Sequence, residues 1–288
     1  MSSLATPIMM IVATFFWGFN FPLAHVVVAT VQPMEAGLLR FILAALVLVA
    51  MAAYHRQSIP LVRHGFILAA LAVIGVAGFN VLFFFAMQKT SAVNGALIMG
   101  TNPLVTAFMA VFILGERPQT RHLIALPIAF AGVALVVLGN GASVSLSMGD
   151  ALMIGANLSW ASYNVMARRW MPSGSAIGNT AAIMIFSALS IGGVMVSMDT
   201  PMAVPGLVAG SALAIMALAG TVMAYMFYNH GIAKLGAGKA ALFMNLVPVW
   251  AMVTSMAMGV DPTQIQLIGG AVVIAAVMYA LKPQPVAA

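Results

Sequence analysis

The sequence predicts an all-α membrane protein with ten transmembrane helices, arranged as two inverted five-helix repeats. Three observations support this prediction: an extremely apolar composition, apolar runs that fit ten membrane spans, and an internal similarity between the two halves. Of the 288 residues, 63% are hydrophobic and only 6% are charged, so polar groups are too few to cover a surface exposed to water. Composition therefore excludes a soluble fold.

Polar, proline and glycine residues separate the apolar runs and define the predicted spans. A helix needs about 20 residues to cross the hydrocarbon layer, so ten spans occupy nearly the whole sequence. The first run lacks a basic leader and contains Trp17 and Pro22, which favours a membrane helix over a cleaved signal peptide. The spans are predicted near residues 5–28, 34–53, 65–86, 92–114, 122–139, 149–170, 177–197, 206–231, 238–258 and 264–281.

The lysines and arginines predict the orientation of the chain, since basic residues concentrate in cytoplasmic loops. With both termini in the cytoplasm, Lys89 is the exception on the outer side, and Arg40 lies within the second span. We therefore expect a multi-pass protein of the bacterial inner membrane, in contact with the lipid bilayer. The basic residues at the inner side are Arg56, Arg63, Arg117, Arg121, Arg168, Arg169, Lys234, Lys239 and Lys282. The acids at the outer side are Glu35, Asp150, Asp199 and Asp261.

Several functional classes have no support in the sequence. The absence of cysteine removes disulfides, thiolate metal sites and cysteine nucleophiles. No Walker loop, HExxH motif or nucleophile elbow is present, so we predict neither an enzyme nor a bound metal or cofactor. The net charge of +6 reflects membrane orientation, and nucleic acid is not an expected partner. The expected partner is a small-molecule substrate, and a monomer is compatible with the sequence.

An internal repeat appears when the second half is shifted by about 145 residues, a self-similarity that defines repeat architectures. Residues 89–99 and 234–244 share Lys, Ala, Ala, Leu and Met in the same order. The same order continues through two pairs of landmarks, namely Trp17 with Trp160 and Pro103 with Pro248. We therefore predict a first repeat over residues 1–143 and a second over residues 144–288.

Each predicted repeat has five spans, so the second enters the membrane from the opposite side. In transporters with such inverted repeats, the substrate site lies near the middle of the membrane, beside interrupted helices. Proline removes a backbone hydrogen bond and can bend a span. The predicted hinge residues are Gly18, Pro22, Pro103 and Pro248.

Three sequence segments resemble the EamA-type transporters of the drug/metabolite transporter superfamily, and the resemblance extends over essentially the whole chain. The segments are Phe16-Trp17-Gly18-Phe19-Asn20, the stretch from Ala86 through Asn102-Pro103, and Leu114-Gly115-Glu116-Arg117-Pro118. The corresponding Gly259-Val260-Asp261 of the second half lacks the glutamate. The resemblance implies a ten-helix exporter of metabolites, similar to bacterial exporters of amino acids and of aromatic amino acids.

Ionisable residues inside a membrane are costly and therefore indicate functional sites. Arg40 could bind a substrate carboxylate through its planar fork of donors, it could extend toward the outer face and bond backbone carbonyls, or it could pair with Glu35. His230 could sense protons, although a single histidine near a membrane surface also serves as a hydrogen-bonded structural residue.

Aromatic and amide side chains from both halves are predicted to line an amphipathic cavity. Trp17 and Asn20 share one helix face, as do Trp160 and Tyr163. Rings can stack on a flat substrate and amides can bond ammonium or carboxylate groups, although such residues also join packed helices. The predicted substrate-binding residues are Trp17, Asn20, Arg40, Asn80, Phe83, Asn94, Thr101, Trp160, Tyr163, Asn164, Tyr225, Tyr228, His230, Asn245 and Trp250.

The sequence thus predicts an inner-membrane transporter that exports small metabolites, amino acids and aromatic ones among them, by alternating access between the two repeats. One alternative is a lipid flippase or an intramembrane enzyme acting on a lipid carrier, for which Arg168, Arg169 and Lys239 would face the headgroups. Another is a passive channel. The scarcity of acids within the spans favours facilitated diffusion or exchange, with histidine-linked coupling left open.

Overall fold

The computed structural model describes residues 4–90, 92–117, 120–139, 141, 147–199, 202 and 204–281, without the side chains of residues 25, 87 and 92–94. Regular structure in these residues is entirely helical, which confirms the predicted fold class. Four features named above lie outside the described residues: Pro118, the repeat boundary at 143/144, Lys282 and the side chain of Asn94.

The first half contains seven α-helices and one π-helical segment. They are α1 (Ala5–Val28), α2 (Pro33–Tyr54), α3 (Gly65–Ala70), the first π segment (Leu71–Ala77), α4 (Gly78–Met87), α5 (Ala92–Gly100), α6 (Asn102–Leu114) and α7 (Thr120–Leu138).

The second half repeats this order of elements and adds a 3-10 turn between α12 and α13. They are α8 (Met148–Trp170), α9 (Ala176–Ser197), α10 (Leu207–Ala217), the second π segment (Leu218–Met223), α11 (Ala224–Leu235), α12 (Ala237–Leu242), a 3-10 turn (Phe243–Asn245), α13 (Leu246–Ala257) and α14 (Gln264–Leu281).

Nine helical stretches in the described residues are long and apolar enough to cross a membrane. The nine do not include α8, which has 23 residues but carries Asp150, Arg168 and Arg169. The count of ten spans therefore stays a prediction. The nine stretches are Ala5–Val28, Pro33–Tyr54, Gly65–Ala86, Gly95–Leu114, Thr120–Leu138, Ala176–Ser197, Leu207–Leu235, Ala237–Ala257 and Gln264–Leu281.

Helices of one half pack mainly against helices of the other. The α2 helix packs on α9, α7 on α14, α1 on α13 and α11, and α8 on α4 and α6. We call the end where α1 begins and α2 finishes the inner end, since the charge pattern predicts that it faces the cytoplasm. The opposite end, where α1 finishes and α2 begins, is the outer end.

The two π segments occupy corresponding places in the two halves, and each contains a glycine in close contact with the other half. A Cβ added at Gly75 would lie 2.6 Å from Cβ of Tyr163, and one added at Gly220 would lie 2.3 Å from Nδ2 of Asn20. A π turn widens the helix locally and is frequent at functional sites. The third and eighth spans therefore approach the opposite half closely near the centre of the molecule.

Interruptions also occur at corresponding places in the fourth and ninth spans. The α5 helix ends at Gly100 and α6 begins at Asn102, with Pro103 in its first turn. The 3-10 turn separates α12 from α13, which carries Pro248 in its first turn. Proline is compatible with a first turn because its missing N–H has no helical partner there.

The first span is not interrupted, contrary to the prediction for Gly18 and Pro22. The α1 helix is continuous from Ala5 to Val28. Proline crowds the carbonyl four residues earlier, here that of Gly18, and the single lost hydrogen bond is outweighed by the intact turns on either side. Gly18 serves helix packing, since a Cβ there would lie 2.4 Å from Cβ of Trp250 on α13.

Candidate functional site: a central cavity between the halves

A cavity of about 360 Å³ lies between the two halves, within the size range of small-molecule sites. It extends from Trp17, near the middle of α1, to Val28 and Pro33 at the outer end. Its wall is mainly apolar, with a few polar groups. The predicted binding residues that line it are Trp17, Asn20, Arg40, Asn80, Phe83, Trp160, Tyr225 and Asn245, together with the predicted hinge residue Pro248.

A layer of packed aromatic rings closes the cavity toward the inner end. The Trp17 ring lies 5.6 Å from that of Trp160 and 4.9 Å from that of Tyr228, and Trp160 stacks on Tyr163 at 5.1 Å. Tyr163 and Tyr228 are fully buried, and the Tyr163 hydroxyl donates to Oδ1 of Asn229 at 2.8 Å. The structure is thus closed on the inner side of the two tryptophans, while the cavity reaches the outer end.

The two tryptophans differ in hydrogen bonding although they hold corresponding positions. Nε1 of Trp17 donates to the Gly220 carbonyl in the second π segment at 2.9 Å. Nε1 of Trp160 is buried and has no partner in the described part of the chain. A buried donor without a partner is uncommon in proteins. Because Trp160 lines the cavity, its N–H is a candidate donor to a ligand.

Among the cavity-lining residues that the structure describes, Arg40 is the cation. Its Nη2 donates to Oδ1 of Asn80 at 3.2 Å, and its guanidinium carbon lies 4.9 Å from the Phe41 ring centre. Asn80 is itself held by a 2.7 Å bond from Nδ2 to the Val76 carbonyl. No described carboxylate forms an ion pair with Arg40, and its Nε has no described partner. A permanently charged fork of donors held by neutral groups suits a carboxylate ligand.

Asn245 provides an acceptor across the cavity from the first half. It lies in the 3-10 turn of the ninth span, is 2% exposed and lines the cavity. Among the described residues nothing donates to its Oδ1. A carbonyl oxygen in this position can accept a hydrogen bond from an ammonium group or an N–H of a ligand.

A buried network of amides and hydroxyls supports the interruption in the fourth span. Nδ2 of Asn157 donates to the Ile98 carbonyl at 2.6 Å and to Oγ1 of Thr101 at 2.8 Å. Nδ2 of Asn102 donates to Oδ1 of Asn157 at 2.6 Å. Backbone groups released by a break inside a membrane need such partners. Asn157 was not among the predicted site residues, although it lies seven residues before Asn164 on the same helix face.

Replacing Asn157 with leucine should destabilise the protein, because the Ile98 carbonyl, the Thr101 hydroxyl and the Asn102 amide would lose a buried partner. Each such loss costs about 1–3 kcal/mol, so we expect a decrease of at least about 2 kcal/mol in the free energy of unfolding in detergent. Leu158→Ala, at an exposed neighbour, is the control and should change stability little. Equal stability of the wild type and Asn157→Leu would contradict the supporting role.

Six predicted binding residues lie outside the cavity lining in the described structure. Thr101 and Asn164 belong to the amide and hydroxyl network, where Nδ2 of Asn164 donates to Oγ1 of Thr106 at 3.1 Å. Tyr163 and Tyr228 lie in the aromatic layer below the cavity. The remaining two join helices: His230 bonds Thr6 at 3.3 Å, and the Trp250 ring meets that of Phe15 at 5.5 Å.

The inner end is held together by Glu116, which follows α6 in the first half. Its Oε1 accepts from the backbone N–H of Ala237 at 3.1 Å, and its Oε2 accepts from that of Gly238 at 3.4 Å. Nε of Arg168, at the end of α8, lies 3.5 Å from the same carboxylate. Three helices, α6, α8 and α12, are thus joined by one side chain on the inner side of the aromatic layer.

Comparison with known proteins places this architecture in a family. The model of the EamA-like transporter family matches residues 4–138 and again residues 147–281, one match in each half. The chain belongs to this family. The resemblance to EamA-type transporters seen in the sequence motifs is therefore confirmed, and the chain is a multi-pass membrane transporter.

Two transporters to which this EamA-family chain is similar differ in sequence identity and in the share of the chain that they match. The uncharacterized transporter YyaM of Bacillus subtilis (strain 168) is 35% identical over 281 residues, which cover 95% of this chain and 92% of the relative. The S-adenosylmethionine/S-adenosylhomocysteine transporter of Chlamydia muridarum (strain MoPn / Nigg) is 29% identical over 147 residues, or 49% of this chain and 46% of the relative. A solved crystal structure shares the fold with a TM-score of 0.85, at 16% identity over 97% of both chains.

Proposed function

We propose that this EamA-family transporter exports small zwitterionic metabolites, amino acids and aromatic ones among them, across the bacterial inner membrane by alternating access. The observation that carries the proposal is the central cavity, in which Arg40 faces an aromatic and amide wall built by both halves.

The polar groups of the cavity suit an amino acid. Arg40 supplies charged donors for a carboxylate, and Oδ1 of Asn245 supplies an acceptor for an ammonium group. Trp17, Trp160 and Phe83 provide ring faces and edges for an apolar or flat side chain. An amino acid would bond Arg40 with its carboxylate and Asn245 with its ammonium group, and its side chain would lie between the rings. It would thereby provide partners for polar atoms that have none among the described residues.

The closed inner end supports the alternating-access part of the proposal. The aromatic layer and the Glu116 contacts seal one end, while the cavity reaches the other. Inverted repeats can exchange conformations, which would close the outer end and open the inner one around the same site. The interruptions beside Pro103 and Pro248 are natural positions for bending.

One relative's substrates agree with this chemistry. The Chlamydia muridarum protein is named as a transporter of S-adenosylmethionine and S-adenosylhomocysteine, each of which combines an amino-acid group with a flat aromatic base. This relative matches about half of the chain, so its name supports the substrate class and not a particular substrate.

Counterflow in proteoliposomes tests the proposal. Proteoliposomes that contain the protein and are preloaded with unlabelled phenylalanine or tryptophan should accumulate the labelled amino acid with saturable kinetics. Trp17→Ala and Trp160→Ala should each lower this flux about tenfold, because lost ring packing and a lost hydrogen bond together cost on the order of 1–2 kcal/mol.

Two matched measurements make the result specific. Trp170→Ala removes a half-exposed tryptophan at the end of α8, away from the cavity, and should leave flux unchanged. Parallel assays with nucleosides, sugars and a fluorescent phospholipid cover other substrate classes. Absence of amino-acid flux together with saturable flux of another class would overturn the proposed substrate, and unchanged flux in both cavity variants would overturn the site.

A further inference from the structure

A second cavity, of about 230 Å³, lies at the inner end, separate from the central cavity. It is bordered by residues of α6, α7, α8, α11 and α12 and of the loops beside them. Its charged and titratable lining residues are Glu116, Arg117, His122, Arg168 and Lys239. Its apolar wall includes Val111, Leu126 and Leu242. Three permanent cations therefore share this cavity with a single carboxylate.

The one carboxylate of the described cavity is already occupied. Glu116 accepts from the backbone N–H groups of Ala237 and Gly238 and pairs with Arg168. Arg168 also donates to the Ala233 carbonyl. Glu116 therefore neutralises Arg168 while serving the backbone of the ninth span.

The other two cations are not neutralised within the described residues. Neither Arg117 nor Lys239 forms an ion pair or a hydrogen bond there, although both line the cavity. His122 is 8% exposed, its ring interacts with the backbone of Ala280, and its Nε2 has no described partner. Two unneutralised charges and a buried ring nitrogen at one concave site suit a ligand with about two negative charges and several acceptor oxygens.

We propose that this inner cavity binds a phosphate group, with Arg117 and Lys239 supplying the charge and His122 a further hydrogen bond. Phosphate matches the charge of the site, and its tetrahedral oxygens can accept from donors on several helices at once. Two sources carry this chemistry, a soluble phosphate compound and the headgroup of an anionic phospholipid. Basic pockets between helices at a cytoplasmic membrane face bind such headgroups. The site does not depend on the proposed transport substrate.

Thermal unfolding of the full-length protein in detergent tests the site, with inorganic phosphate as the probe and chloride at equal ionic strength as the reference. We expect a saturable rise in Tm with phosphate. In Arg117→Gln/Lys239→Gln the half-saturating concentration should increase at least about tenfold, the factor that corresponds to losing about 1.4 kcal/mol of charge-assisted bonding. A second arm measures Tm without added phosphate in nanodiscs of phosphatidylcholine with and without cardiolipin, whose two phosphodiesters carry two negative charges.

Lys234→Gln is the matched control, because Lys234 is an exposed lysine at the inner end of the eighth span but does not line the cavity. Saturation by inorganic phosphate identifies a soluble ligand, and a response confined to cardiolipin identifies a headgroup. An equal loss in Lys234→Gln and in the double variant would indicate unspecific attraction and overturn the proposal. So would the absence of a response in both arms.

Discussion

Arg40→Gln should lower kcat/KM for amino-acid counterflow by about a hundredfold, the largest effect expected of any cavity substitution. Losing a charged partner of a buried carboxylate costs about 2–5 kcal/mol, because the carboxylate is then left without compensation in an apolar site. Glutamine keeps much of the side-chain length and the ability to bond Asn80, so the protein should still insert and fold. Initial rates in proteoliposomes over a range of substrate concentrations measure the effect.

A substrate control separates carboxylate binding from general damage. An amino-acid amide lacks the carboxylate, so its flux should be poor in the wild type and should change little in Arg40→Gln. Arg169→Gln, at an exposed arginine near the end of α8, should leave both substrates unaffected. Equal losses for the acid and the amide in Arg40→Gln would show that Arg40 supports the structure and does not bind the carboxylate.

Glu116→Ala should open the inner end and is the second large effect that we expect. The substitution removes two bonds to the backbone of the ninth span and the ion pair to Arg168. Losses of about 1–3 kcal/mol shift a two-state equilibrium by roughly one to two powers of ten. Because the chain has no native cysteine, a single cysteine at Ala107, beside this junction, can report the change. Its reaction with a maleimide should become at least about tenfold faster.

Asp261→Ala is the matched control for Glu116→Ala. Asp261 follows the ninth span in the second half, as Glu116 follows the fourth in the first, and it is exposed. Labelling at Ala107→Cys should therefore be unchanged in the Asp261 variant. Equal acceleration in both variants, or none in Glu116→Ala, would contradict the role of Glu116 as the inner closure.

Patterns within single spans predicted much of the architecture. The apolar runs predicted the positions of the helices, and the paired Pro103 and Pro248 predicted interruptions at corresponding places. The first span was the exception, because a proline four residues after a glycine can be accommodated in a continuous helix when that helix packs tightly, as α1 does against Trp250. Local sequence alone does not specify which of these outcomes packing will favour.

The candidate site was predictable in its kinds of residues but not in its geometry. Grouping aromatic and amide residues by helix face brought Trp17, Trp160 and Asn245 into one set, and they line one cavity. The roles of Asn157 and Glu116 depend on partners 59 and 121 residues away, in other spans. Such long-range pairings depend on how the helices assemble, and no periodicity within one helix reports them.

The two acids that follow the fourth and ninth spans differ in their contacts, and this difference has a thermodynamic consequence for the transporter without substrate. A duplicated bundle with identical halves would spend equal time facing each compartment. In the first half, the carboxylate of Glu116 joins three helices, whereas in the second half Val260 holds the position of Glu116 and the neighbouring Asp261 is exposed. In the proposed alternating access, the two orientations of the transporter without substrate should then differ in population, because its two repeats have diverged at this position.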